Sequence, residues 1–177
     1  MGVMHERNKK QYQCLMEYPC SVIIDYEDTS TTVMSRNMFN EYSVPVINEY
    51  ADLCHKNGRI FITHMCGKLT GFAKEIGEGR QDGIDSVCPP DTGDLYPWDA
   101  RRIWGESKLV IGGIDPPTLS WSTPEQATAI AKTVIERVED KRGFVLSTGD
   151  AVAHGTPIEN LKAIADLIRA MGSRSVL

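Results

Sequence analysis

His64 and Cys66, two residues whose side chains bind metals, stand two apart at the end of an apolar run, Ile60-Phe61-Ile62-Thr63-His64-Met65-Cys66-Gly67. Side chains alternate along an extended backbone, so the pair points to one side. Imidazole nitrogen with thiolate sulfur is a donor set suited to zinc, and two protein donors leave room for a third protein group and a substrate position. The same tetrapeptide also reads as a buried cysteine with a capping histidine at a strand end.

Holding such a pair requires a strand that stops at the right place, and the chain offers several. The spacing predicts a helix over about Asn8–Tyr18, a strand at Ser21–Asp25, an acid- and Thr-rich loop over Tyr26–Thr32, and a helix over Ser35–Lys56 that Pro45 kinks or splits. Next come a strand at Arg59–Thr63, a helix over Thr70–Gly77, a strand at Ile84–Val87 and a short helix over Tyr96–Gly105 opened by Pro97. Leu109–Ile114 reads as a buried strand. Ser122-Thr123-Pro124-Glu125 starts a helix that runs to Arg142-Gly143, Phe144–Ser147 is the last strand, and Pro157–Met171 the last helix.

Five strands each followed by a helix imply a parallel α/β sheet with its functional groups on the loops after the strands. A complete eight-fold barrel takes about 250 residues, so five units in 177 residues read as a partial (β/α)8 TIM barrel, with a five-stranded doubly wound domain as the alternative. The strand ends then share one rim: Asp25, Glu27 and Asp28 after the first strand, His64 and Cys66 after the second, Cys88 and Asp91 after the third, Asp115 after the fourth, Asp150 and His154 after the fifth. Glu27, Asp28 and Asp115 are the catalytic candidates. Each has a plainer reading: Glu27 and Asp28 as caps of the next helix, Asp115 before two prolines as a turn brace, Asp91 and Asp94 as ordinary loop residues.

Composition narrows the class. The chain is the size of one domain, residues 1–177, and 24 acidic against 19 basic residues give a net charge of -5, which argues against a nucleic-acid partner. The longest apolar stretches are strand-sized, so no membrane segment is expected. Met1–Lys10 is polar and lacks the apolar core of a secretion signal, and the five scattered cysteines form no framework, so a cytoplasmic location is expected. Cys14, Cys54 and Cys88 read as small packing residues.

Four segments, in this order and spacing, carry a resemblance: Met38-Phe39-Asn40-Glu41-Tyr42 with Pro45, His64-Met65-Cys66-Gly67, Gly113-Ile114-Asp115-Pro116 and Thr156-Pro157-Ile158-Glu159-Asn160-Leu161. Together they resemble the uroporphyrinogen decarboxylase superfamily of (β/α)8 barrels, over nearly the whole chain but only the carboxyl-terminal part of the barrel. The His-x-Cys-Gly motif is more similar to the zinc-dependent methylcobamide:coenzyme M methyltransferase branch than to the tetrapyrrole decarboxylases. That branch implies zinc held by the His and Cys of the motif and a Cys in the loop after the last strand. Here these positions are His64, Cys66 and Asp150, a carboxylate where the branch has a thiolate, with His154 a nearby substitute.

The implied chemistry is methyl transfer between a methyl-corrinoid and a small acceptor, a thiol or a pterin, with the corrinoid supplied by a corrinoid protein or as free methylcobamide. The alternative within the superfamily is decarboxylation of an acidic tetrapyrrole. It has no catalytic motif of its own in this chain, although Arg80, Arg101 and Arg102 offer local attraction for a polycarboxylate. A third reading is an inactive or assembly-dependent fragment, because an open edge at Ser21–Asp25 invites pairing with a second copy or a separate amino-terminal subunit.

Overall fold

A computed structural model of the chain describes residues 2–172. Its five strands are β1 (Val22–Glu27), β2 (Ile60–Met65), β3 (Gly83–Val87), β4 (Leu109–Ile114) and β5 (Phe144–Thr148). They pair in parallel in the order β1-β2-β3-β4-β5. A doubly wound sheet reverses its strand order at a switch point. This sheet advances one strand at a time, as a barrel wall does, and the chain is therefore a partial (β/α)8 barrel.

The helices follow from local chemistry. Helix α1 (Gly2–Leu15) begins earlier than the expected Asn8, and stacks Tyr12 on Tyr50 with ring centroids 3.9 Å apart. The long helix expected over Ser35–Lys56 is split into α2 (Arg36–Met38), a π-helical turn at Phe39–Ser43 and α3 (Val44–Lys56). Pro45 accounts for the split, because it has no N–H for the carbonyl one turn back and its ring crowds that turn. Helix α4 (Ala73–Glu78) follows a 3-10 turn at Thr70–Phe72, and α5 (Pro97–Trp104) starts at its proline as expected.

Helix α6 (Pro116–Trp121) is an element that periodicity does not reveal. Asp115 caps it and Pro116 opens it, so the signal lay in the cap and the proline rather than in an apolar pattern. Helix α7 (Pro124–Arg137) begins with a capping box between Thr123 and Gln126 and stops five residues before Arg142. Val138 leaves the helix with extended backbone and is fully buried, and Asp140 accepts from Arg142 N–H in the loop that follows. Helix α8 (Ile158–Ala170) closes the described chain.

One face of the sheet packs on the helices. Ile23, Phe61, Met65, Ile84 and Val110 meet Ile47, Tyr50, Ala51 and Cys54 of α3, Ile76 of α4 and Trp104 of α5. A second cluster joins Ile114 and Leu119 to Ala127 and Ala131 of α7, with Leu161 and Ile164 of α8 against it. Each large side chain in these clusters contributes roughly 1.5–3 kcal/mol. The opposite, concave face is open near its edges: Val22, Ile24, Ile60 and Val145 are exposed, and Tyr26 is 75% exposed.

Candidate metal centre

The parallel register sets Tyr26 of β1 opposite His64 of β2, and His64 opposite Asp85 of β3. Paired residues of neighbouring strands project to the same face, so all three side chains reach the concave side at the carboxyl end of the sheet. The Tyr26 ring stacks on the imidazole of His64 at a centroid distance of 4.7 Å. His64 Nδ1 lies 2.7 Å from Asp85 Oδ2. In the neutral ring that contact places the proton on Nδ1, which donates to the carboxylate and leaves the Nε2 lone pair free.

Nε2 points toward Asp150, whose Oδ1 is 3.9 Å away. His64, Cys66 and Asp150 present one nitrogen, one sulfur and one oxygen, all within 4.8 Å of one another. Among the described residues this is the one such convergence of three donors. Cys66 follows β2 directly, and Gly67 turns the chain away with φ of +84°. A Cβ at Gly67 would stand 2.6 Å from Ser30 Oγ, which accepts from Lys68 N–H at 3.0 Å, so only glycine allows the β1 loop to close against this turn.

Electrostatics favour a cation here. Burial pushes the Cys66 thiol above its usual range, and the Asp150 and Asp28 carboxylates push it further. Asp28 Oδ1 lies 4.0 Å from Cys66 Sγ. A thiol ringed by carboxylates holds its proton until a positive charge arrives, and a divalent ion reverses that balance. The donor set N, S, O suits zinc, and Asp85 holds the imidazole in the way a carboxylate holds a histidine that ligates a metal.

The other rim residues separate from this group. His154 is exposed and lies outside the three-donor cluster. Glu27 alternates with Tyr26 and so turns to the helix side with Asp25; burial, then the Asp25 charge and hydrogen bond, push its carboxyl up to about 7. Asp115 is nearly buried and accepts from Thr92 N–H (3.1 Å), Thr118 N–H (2.9 Å) and the Thr118 hydroxyl (2.7 Å). Burial works to raise its pKa, but those bonds outweigh it and hold the carboxyl below its usual value. Its position is that of a brace between the β3 and β4 loops.

Asp94 braces as well, accepting from Leu69 and Thr70 N–H groups. Cys54 and Cys88 are buried packing residues, whereas Cys14 is exposed, contrary to the packing role expected for it. Burial and Asp115 push the Cys88 thiol up to about 12. Arg80, Arg101 and Arg102 do not face a polycarboxylate: they pair with Asp52, Asp140 and Asp99.

Asp85, Ser86 and Tyr26 are the site residues that spacing does not pick out. A charged residue inside the short strand Ile84–Val87 was the available signal, since carboxylates are rarely buried in strands without a partner. Ser86 is buried with φ of +76°, and its hydroxyl donates to the carbonyl of Gly149, the residue before Asp150.

The uroporphyrinogen decarboxylase (URO-D) family model matches residues 12–171. The chain belongs to this family. Its curated relatives divide between two activities. It is 25% identical over 148 residues to the uroporphyrinogen decarboxylase of Coxiella burnetii, covering 80% of this chain and 38% of that protein. It is 26% identical over 160 residues to the methylated-thiol–coenzyme M methyltransferase of Methanosarcina mazei, covering 81% and 40%. To the methylcobamide:CoM methyltransferase of Methanosarcina barkeri it is 24% identical over 136 residues, covering 76% and 37%. Among solved structures, a methyltransferase from Methanosarcina mazei superposes with a TM-score of 0.78 at 21% identity, over 94% of this chain and 47% of that one. The chain thus spans less than half the length of these relatives. No helix among the described residues is long and apolar enough to cross a membrane.

Proposed function

We propose that this chain carries the zinc-binding half of a methyltransferase site, which moves a methyl group between a methyl-corrinoid and a small thiol or pterin acceptor. The observation that carries the reading is the convergence of His64, Cys66 and Asp150 at the end of the sheet. The methyltransferase relatives support it, since one is a methylcobamide:CoM methyltransferase. The tetrapyrrole decarboxylation suggested by the other relatives fits less well, because the rim gathers carboxylates and the arginines are paired elsewhere.

When bound, zinc supplies Lewis acidity that lowers the pKa of an acceptor held beside it. Asp85 fixes the His64 ring through Nδ1, and Tyr26 covers its face. Asp28, exposed beside Cys66, takes the proton that a thiol acceptor loses. The acceptor sulfur then bonds to the methyl carbon as the cobalt–carbon bond of the corrinoid breaks, and that bond's electron pair leaves on cobalt. The corrinoid arrives on a corrinoid protein or as free methylcobamide. The concave face beside β1 and β5 is where the rest of the pocket wall of a complete barrel would stand.

Metal content per chain, measured on protein purified without a histidine tag or chelator, tests the reading. Near-stoichiometric zinc in the wild type and its loss in His64→Ala are expected. Folded, zinc-supplemented wild-type protein that holds no metal would sink it.

A further inference from the structure

The β3 strand does not pair evenly with β4. Ile84 faces Val110 and Val87 faces Gly112, so three steps along β3 match two along β4, and one extra residue is bulged out. Bulges re-aim side chains and cluster beside active sites. Here the two residues between the paired positions are Asp85 and Ser86, of which Asp85 touches His64 and Ser86 touches the residue before Asp150. Asp85 turns to His64 at 2.7 Å. Ser86, in a left-handed conformation that a serine rarely adopts, sends its hydroxyl to the Gly149 carbonyl.

Gly149 is gripped on every side. Its N–H donates to Ile114 C=O at 2.7 Å, its carbonyl accepts from Ser86, and a Cβ on it would collide with the Cβ and Sγ of buried Cys88. The next residue is Asp150, which is half-exposed and, among the described residues, accepts one hydrogen bond, from Ala151 N–H at 2.7 Å. The aim of the Asp150 carboxylate therefore depends on the peptide that precedes it. We propose that Ser86 is a positioning residue for the metal centre: its hydroxyl, presented by the β3 bulge, locks the Gly149 peptide and so directs Asp150 at His64 and Cys66. Neighbouring residues of β3 then serve two of the three donors, His64 through Asp85 and Asp150 through Ser86. This rests on the zinc-site reading above.

A double-mutant cycle on the full chain separates this role from a merely structural one. Zinc affinity is read by competition with a chromophoric chelator, and donor geometry by the visible spectrum of the cobalt-substituted protein. Ser86→Ala is expected to weaken zinc binding by about ten-fold or more and to change the cobalt spectrum. The Ser86→Ala/Asp150→Ala pair is expected to bind no more weakly than Asp150→Ala alone. Should Ser86→Ala misfold, Ser86→Gly, which accepts the positive φ without strain, carries the same expectation. Unchanged affinity in the folded variant, or a loss that adds in full to that of Asp150→Ala, overturns the proposal. Were the wild type to bind no zinc, the metal reading would fall, and amide exchange in zinc-free protein decides the clamp by itself. Faster exchange at residues 149–153 in Ser86→Ala sustains the lock on Gly149, and equal exchange overturns it.

Discussion

His64 is held on one side by Asp85 and covered by Tyr26, so its Nε2 is the one ring nitrogen left to bind. Asp85→Asn keeps the shape but removes the charge that strengthens the imidazole as a donor, and zinc affinity should fall by about ten- to hundred-fold in a chelator competition. Cys66→Ser should lower metal content sharply, because a serine hydroxyl is a poor replacement for thiolate; Cys14→Ser, on an exposed face of α1, should leave it unchanged. Equal metal retention in the two variants would remove Cys66 from the site. Glu27 makes a separate claim about pH. Its folded-state pKa of about 7 lies above the ordinary value of 4.5, so the folded chain holds this proton longer than the unfolded one. Its stabilising effect is whole below pH about 4.5 and is lost as pH rises toward 7. Glu27→Gln should therefore match wild type near pH 4.5 and exceed it at pH 8 by on the order of 1–3 kcal/mol in urea melts. A difference independent of pH would mean that the Asp25–Glu27 pair is not strained. The convergence of His64, Cys66 and Asp150 was legible because their strand-end positions are properties of the sequence. Asp85 and Ser86 were not, because Asp85 meets His64 through the strand register and Ser86 reaches Gly149 through a bulge, and no periodicity encodes either.

At the level of elements, the loops after the strands are cross-braced rather than free. Asp115 ties the β3 loop at Thr92 to the first turn of α6, and Asp94 ties the loop before α5 to the turn after Cys66. The five strands and the order of helices could be read from apolar runs and caps, since each strand here is a short buried run bounded by turn residues. Helix α6 escaped because six residues are too few to show a helical period, and the end of α7 was misplaced because Val138 is drawn into the core before the charged residues that follow it. Gly149 shows how tightly the β5 loop is seated. Gly149→Ala drives a Cβ into Cys88, a form of overpacking that costs about 1–3 kcal/mol. A fall in Tm of several degrees is expected by calorimetry, together with weaker zinc binding as Asp150 is pushed off line. A variant with unchanged Tm and zinc affinity would show that the loop is loose and that its contact with Cys88 positions nothing.

For the whole molecule, the unequal burial of the two sheet faces is the feature that governs behaviour. The helix side is closed, yet Val22, Ile24, Tyr26, Ile60 and Val145 lie exposed on the concave side near the two edge strands, β1 and β5. In a full barrel this side is packed with side chains, and exposed strand edges recruit further strands. The methyltransferase that superposes on this chain is about twice as long, so more than half of it has no counterpart here. The chain by itself is thus expected to associate through the concave face, with a rising sedimentation coefficient across the micromolar range. Ile24 is 43% exposed and Val145 52% exposed, so placing charge there removes little packing that the single chain already has. Ile24→Lys/Val145→Lys should run as a monomer at the same concentrations with nearly unchanged Tm, since charge on the open face opposes a second chain but leaves the helix-side core intact. A wild-type chain that stays monomeric throughout would mean that this face does not recruit a copy and that its exposed side chains are tolerated in water.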